Sequence, residues 1–202
     1  MATPEQGGDW GILGGTFDPV HLGHISLARQ LAEHASLDGV LFVLAAAHPF
    51  KGPTIHAPYE FRRDMLELGL AGQPNFLLSE VEKDLDLSGY TYDTIRALKV
   101  AYPIACFTFL IGSDNLISLA KWHRIDEVLS EVRFTVGTRP PADSLIVPEP
   151  FRDRVDAFDI EPIDISSTHI RERVAAGVDL DALAGLVPRR VAEYILRNGL
   201  YQ

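Results

Sequence analysis

The sequence predicts an α/β protein: a doubly wound, mainly parallel sheet with helices on both faces and a small helical C-terminal part. Three observations predict it. Short apolar runs alternate with segments of helical period for most of the chain, as repeated strand–helix–strand units require. Two runs, Val40 to Ala45 and Cys106 to Ile111, are near-continuously apolar, as strands covered on both faces are. A glycine pair, Gly14-Gly15, stands between the first strand and the first helix, where such sheets carry a ligand loop.

The first strand is Trp10 to Leu13. After it, Leu22, Ile25, Leu27, Ala28, Leu31 and Ala32 recur at helical spacing and give a helix from Leu22 to His34. Val40 to Ala45 is the second strand. Ala46 to Pro58, with three prolines and a lysine, is a loop. A helix over Glu60 to Leu70, a strand over Asn75 to Ser79 and an amphipathic helix over Thr91 to Ala101 follow. Cys106 to Ile111 is the clearest buried strand. Helical stretches run from Gly112 to Ala120 and from Ile125 to Glu131, and Val132 to Thr138 is a strand. Arg139 to Pro150, with four prolines, is a surface loop. A short strand at Phe158 to Ile160 precedes the last helices, Thr168 to Ala176 and Pro188 to Asn198, with Gly199 as a stop signal.

The 202 residues suffice for one domain with a full core, and no linker divides them. We expect a single domain over 1–202, with a flexible N-terminal tail over 1–9. The helical part over 166–202 is expected to pack at the sheet edge as an appendage. Apolar residues make up 47% and charged residues 23%, an ordinary globular composition. The net charge is -10 and no stripe of Lys and Arg is present, which excludes a broad nucleic-acid surface. The single cysteine, Cys106, reads as a buried structural thiol, and it excludes an intrachain disulfide framework and a multi-cysteine zinc site. The first ten residues lack the apolar core of a signal peptide, and no apolar run of about 18 residues spans a membrane. A cytoplasmic location and no membrane partner follow as expectations. The oligomeric state, including a homo-oligomer, stays open.

Two motifs carry chemistry. In Gly14-Gly15-Thr16-Phe17-Asp18-Pro19-Val20-His21-Leu22-Gly23-His24, the glycines permit close approach of a ligand, and the helix start offers free N–H groups to an anion. His21 and His24 are three apart, so both rings can face one site and donate to phosphate oxygens whose charge grows as a bond breaks. In Ile165-Ser166-Ser167-Thr168-His169-Ile170-Arg171, Ser167 or Thr168 can cap the next helix. Arg171, one turn on, reaches the same anion. Two incidental histidines, or simple helix capping beside a surface arginine, are the plain structural alternatives.

These residues resemble the adenylyltransferase branch of the nucleotidyltransferase superfamily, with its His-x-Gly-His and Ile-Ser-Ser-Thr-x-x-Arg signatures. The resemblance narrows to bacterial nicotinate-nucleotide adenylyltransferases. It rests further on Gly89-Tyr90-Thr91-Tyr92-Asp93-Thr94, Ile111-Gly112-Ser113-Asp114, Lys121-Trp122-His123, Arg139-Pro140, Leu186-Val187-Pro188 and Leu200-Tyr201. It covers nearly all of Gly11 to Tyr201.

The resemblance implies a Rossmann-like nucleotidyltransferase fold and transfer of AMP from ATP to nicotinate mononucleotide, giving deamido-NAD and pyrophosphate. It implies that Gly15, Thr16, Phe17, His21 and His24 hold the ATP phosphates. Gly112 and Asp114 would face the adenosine, and Ser167, Thr168 and Arg171 would close over the triphosphate. His21, His24 and Arg171 are the implied catalytic residues. Lys51, Tyr90, Thr91, Trp122 and Arg139 would serve the acceptor, Trp122 by stacking. Trp122 after an amphipathic helix also reads as a core residue. Magnesium would arrive with ATP, with no metal held by protein ligands alone, and Asp18 reads as a turn residue. The family commonly shows Pro-Pro-His-Lys after the second strand; here Ala47-His48-Pro49-Phe50-Lys51 keeps the lysine, with Phe50 where a histidine is usual and His48 two places earlier. Arg62 or Arg63 matches a recurring arginine of the family, and spacing leaves open which. Nicotinamide mononucleotide as acceptor, a pantetheine-phosphate adenylyltransferase, and a non-catalytic nucleotide sensor remain the alternatives.

Overall fold

Strand Gly39–Leu44 sets the frame. Its Val40, Phe42 and Leu44 point to one face and Leu41 and Val43 to the other, and all are buried. A strand with both faces covered has this period of two and no polar side. The computed structural model describes residues 3–46, 55–86, 88–138, 151–161 and 163–202.

The sheet has six parallel strands: β1 (Gly8–Gly15), β2 (Gly39–Leu44), β3 (Phe76–Ser79), β4 (Ala105–Gly112), β5 (Arg133–Thr138) and β6 (Val155–Asp159). Their spatial order is β3-β2-β1-β4-β5-β6. The chain winds outward from β1 to β3, then returns to the other side of β1 as β4. The carboxyl ends of β1 and β4 thus form the switch point at which ligands bind in such sheets.

Helices α1 (Leu22–His34) and α2 (Tyr59–Leu70) cover one face. The other face is covered by α4 (Thr91–Ala101), α5 (Ser113–Ser118) and α6 (Ile125–Glu131). Helices α1, α4 and α6 begin and end where the apolar spacing places them. A four-residue helix, α3 (Val81–Asp84), and a 3₁₀ turn over Leu119–Lys121 are too short to leave a periodic signal.

Three expectations change. Residues 1–9 do not form a flexible tail in their described part: Pro4–Gln6 is a 3₁₀ turn and β1 begins at Gly8, paired with Ala105. Gly8 adopts φ 94°, and a Cβ there would lie 2.4 Å from the Asp38 carboxylate that accepts the Asp9 N–H. Charge and glycine hid a strand whose bonds are made by backbone. The C-terminal helices α7 (Ser167–Ala175), α8 (Leu180–Ala184) and α9 (Arg189–Arg197) are not an edge appendage. Their Ile170, Leu183, Val191 and Ile195 are fully buried in the same core as Phe42 and Met65. Cys106 is exposed, at the N-terminal end of β4 and facing opposite to the buried Phe107.

Candidate active site

A cleft of roughly 1460 Å³ opens over the carboxyl ends of β1 and β4. Small-molecule pockets are commonly about 300–1,000 Å³, so this one has room for two nucleotides. One end is lined by Gly15, His21, His24 and Arg171, the other by Glu82, Tyr90 and Trp122.

The first end begins where β1 stops. A Cβ on Gly15 would lie 2.9 Å from the Phe17 ring, so only glycine lets that ring turn under the loop. Phe17 sits at φ 46°, its side chain buried against Phe42 and edge-on to His24. Arg62, 1% exposed, lies beneath. It donates to the Thr16 and Ala45 carbonyls at 2.8 and 2.9 Å and to that of Ala57 at 3.2 Å. Arg62 is thus the arginine turned to the loop, while Arg63 pairs with Glu60 and Asp64 nearer the surface. Burial lowers the Arg62 pKa and the nearby Asp18 opposes it.

Asp18 is buried and its carboxylate is fully engaged. It accepts from the backbone N–H groups of His56 and Ala57 at 2.7 and 3.1 Å and from the Tyr201 hydroxyl at 2.7 Å. The turn role expected for it holds, and it extends to tying the C-terminal segment to the loop. Burial, then the Asp18 charge, raises the Tyr201 pKa far above its ordinary value.

His21 and His24 stack, with centroids 3.6 Å apart. His21 caps α1: its Nδ1 accepts from the His24 N–H, and His24 Nδ1 accepts from the His21 N–H, both at 3.3 Å. A ring that accepts at Nδ1 carries its proton on Nε2. Each histidine therefore keeps an Nε2–H donor. Burial pushes the His21 pKa down to about 4; burial and then repulsion from His21 push His24 well below its ordinary value. Both are neutral donors at pH 7. Gly23 explains itself here, since a Cβ at that position would lie 3.0 Å from His21 Nδ1.

The second motif docks directly on the first. Ser166, rather than Ser167 or Thr168, caps α7 by accepting from His169 N–H at 3.2 Å. The helix begins one residue earlier than periodicity suggests, and this frees the next two hydroxyls. Ser167 Oγ donates to the Pro19 carbonyl at 3.0 Å. Arg171 donates to the Asp18 carbonyl at 2.8 Å and to Thr168 Oγ1 at 3.1 Å. These bonds hold the guanidinium at the wall of the cleft. Across the cleft, a Cβ on Gly112 would meet the Asp114 carboxylate at 2.6 Å, so glycine lets that exposed side chain fold back over the strand end.

The far end is built from rings. Tyr90 precedes α4, Thr91 opens it, and the Tyr90 ring lies 4.4 Å from that of His123. Trp122 is half-buried, edge-on to Phe109 and Phe134 with centroids 5.8 and 6.0 Å away. It both joins the core and lines the cleft. Lys51, Arg139 and the Ala47–Phe50 segment lie outside the described residues. Spacing did not single out Glu82. It is buried on α3, accepts from Thr94 Oγ1 at 2.7 Å and from Ala46 N–H at 3.3 Å, and burial raises its pKa against the pull of those two bonds. Nor did any local signal mark the Asp18–Tyr201 contact, which spans 183 positions.

A Rossmann-like sheet whose switch point carries two helix starts, locked together through the Asp18 and Pro19 carbonyls, is the architecture of a nucleotidyltransferase. The cytidylyltransferase-like family model matches residues 12–173. A Bacillus subtilis protein named nicotinate-nucleotide adenylyltransferase is 35% identical over 192 residues, 95% of this chain and 97% of that protein. An Exiguobacterium sibiricum protein named "Probable nicotinate-nucleotide adenylyltransferase" is 39% identical over 191 residues, 95% and 97% of the two chains. The fold matches Plasmodium falciparum nicotinic acid mononucleotide adenylyltransferase complexed with NaAD, at a TM-score of 0.77 and 18% identity over 96% of this chain and 97% of that one. The chain belongs to the cytidylyltransferase-like family and, within it, to the nicotinate-nucleotide adenylyltransferases.

Proposed function

We propose that this chain transfers AMP from ATP to nicotinate mononucleotide, giving deamido-NAD and pyrophosphate. The observation that carries the reading is the stacked pair His21 and His24, whose Nδ1 atoms both accept backbone bonds, in one cleft with Arg171 and, at its other end, Trp122. An acceptor oxygen of the mononucleotide 5′-phosphate attacks the α-phosphorus of ATP. That P–O bond forms as the bond to the bridging oxygen between the α and β phosphorus breaks, and pyrophosphate leaves with the electron pair.

The attacking phosphate is already an anion at neutral pH, so no residue need take a proton. What remains for the protein is alignment and charge stabilisation. His21 and His24 donate to the phosphate oxygens, and Arg171, with Ser167 and Thr168 beside it, meets the triphosphate. The backbone of Gly15, Thr16 and Phe17 lets the phosphates approach. Gly112 and Asp114 serve the ribose of ATP. Tyr90, Thr91 and Trp122 take the acceptor ring and its carboxylate, with Lys51 and Arg139 completing the anion contacts. ATP enters as its magnesium chelate. Such a chelate keeps most of its contacts with phosphate oxygens and water. Use of ATP favours a cytoplasmic place of action. Among the described residues no helix is long and apolar enough to cross a membrane.

The test is product formation from MgATP with each of three acceptors: nicotinate mononucleotide, nicotinamide mononucleotide and phosphopantetheine. Deamido-NAD should form fastest. Preference for either other acceptor would overturn the assignment, and no product from any would leave a nucleotide sensor.

A further inference from the structure

We infer that Glu82 is a positioning residue for the acceptor half of the cleft, holding the chain that leaves β2 at a fixed separation from the start of α4. The inference rests on the acceptor reading above and deepens it. Glu82 is 7% exposed, and among the described residues its partners are Thr94 and Ala46, neither of them a cation. A carboxylate placed in such surroundings is unfavourable unless its oxygens are matched to donors. Here they are matched to two donors from different walls. Thr94 Oγ1 donates to one oxygen at 2.7 Å, and Ala46 N–H to the other at 3.3 Å.

Each wall is functional. Thr94 lies one turn beyond Tyr90 and Thr91, and its hydroxyl also reaches the Tyr90 carbonyl at 3.3 Å. Ala46 follows Ala45, whose carbonyl is fixed by Arg62 and whose N–H bonds Gly15. The chain continues from Ala46 to Lys51. Arg62 therefore ties the exit of β2 to the phosphate loop, and Glu82 ties the same exit to the helix that presents Tyr90 and Thr91. An apolar side chain could fill the volume of Glu82. It could not link those two walls.

The conservative variant makes the inference testable. In Glu82→Gln the amide can donate to Thr94 Oγ1 while the Thr94 hydroxyl turns to the Tyr90 carbonyl, and the amide oxygen still accepts from Ala46. Both links survive. In Glu82→Leu both are lost, and in Thr94→Val one is lost.

Steady-state kinetics should be run with each substrate varied in turn, beside thermal melts. We expect Glu82→Leu to raise the KM for nicotinate mononucleotide about tenfold. We expect the KM for ATP to stay within about twofold, and Glu82→Gln to remain near wild type. A purely structural Glu82 would lower the melting temperature and change both KM values alike, and that result overturns the inference. So does an unchanged acceptor KM in Glu82→Leu. Should Glu82→Leu fail to fold, Thr94→Val is expected to raise the acceptor KM selectively by about threefold, and no change in it counts against the proposal. If the wild type uses nicotinamide mononucleotide instead, the proposed acceptor fails, and the selective rise is then read on that substrate.

Discussion

In the phosphate half of the cleft, Asp18 alone is tied to His56, Ala57, Arg171 and Tyr201, whereas in the acceptor half Tyr90 meets His123, and Trp122 meets Phe109 and Phe134, ring against ring. The first half is a network of directional bonds among segments distant in sequence. The second is a set of aromatic faces resting on the core. The difference matches the ligands proposed for each. A transferring phosphate develops charge at fixed points, and donors help only if they are already aimed there. A pyridine ring offers a π-face, and stacking tolerates small displacements. Glu82 adds to the acceptor half a directional link between separate segments, through Ala46 and Thr94.

The sharpest way to break the comparison is His24→Ala. It should lower kcat by about 10²–10³-fold with little change in either KM, and the fold should survive, since losing one cap bond costs about 1 kcal/mol. Near-normal turnover would sink the proposed role of the histidine pair. Arg62→Met removes the donor of three inward carbonyls and should destabilise by about 3 kcal/mol. Urea unfolding measures it, and a loss below about 1 kcal/mol would mean that the loop is held in another way.

The pH dependence of stability reports on His21. Its folded pKa of about 4 lies below the ordinary 6.5. Between those values the unfolded chain binds the proton and the folded one does not, so stability rises with pH across that window. Its contribution is complete above pH 6.5 and is lost as pH falls towards 4. At about 1.4 kcal/mol per pH unit, roughly 3 kcal/mol should disappear. The His21→Asn variant, which can still cap α1, should reduce that slope and leave the part that buried His24 contributes; an unchanged slope would refute the assignment.

In the acceptor half, Trp122→Ala should raise the acceptor KM roughly tenfold to a hundredfold, and Trp122→Phe much less. Equal rises in both KM values would show that Trp122 acts only through the core. The smallest effect is expected from Tyr201→Phe, about 1 kcal/mol of stability from one hydrogen bond, read by denaturant midpoint. A loss several times larger would show that Asp18 depends on this bond to hold the loop.

Much of this was legible early. The helix Leu22–His34 was readable to the residue because its apolar positions repeat every turn. The glycines were readable as punctuation, although their reasons differ: Gly15 clears a ring, Gly23 clears the His21 imidazole, and Gly112 admits a carboxylate. The two signature motifs stood out because their residues sit in two short segments. Glu82 went unmarked, because its meaning lies in donors from Ala46 and Thr94, and α3 is too short to show a period. The choice of Ser166 as the cap, and of Arg62 over Arg63, rested on differences of one position. Such differences change direction on a helix by about 100° but barely change a pattern.

The sequence by itself determined the parallel sheet and most of its helices, because burial on two faces and helical period are written locally. Only the tertiary structure decided that α7 through α9 complete the main core, that Arg171 rests on the Asp18 carbonyl, and that Tyr201 closes the network. Those contacts join residues far apart along the chain. A hydrogen bond between them depends on where folding brings two backbones, a distance that no spacing in the sequence encodes.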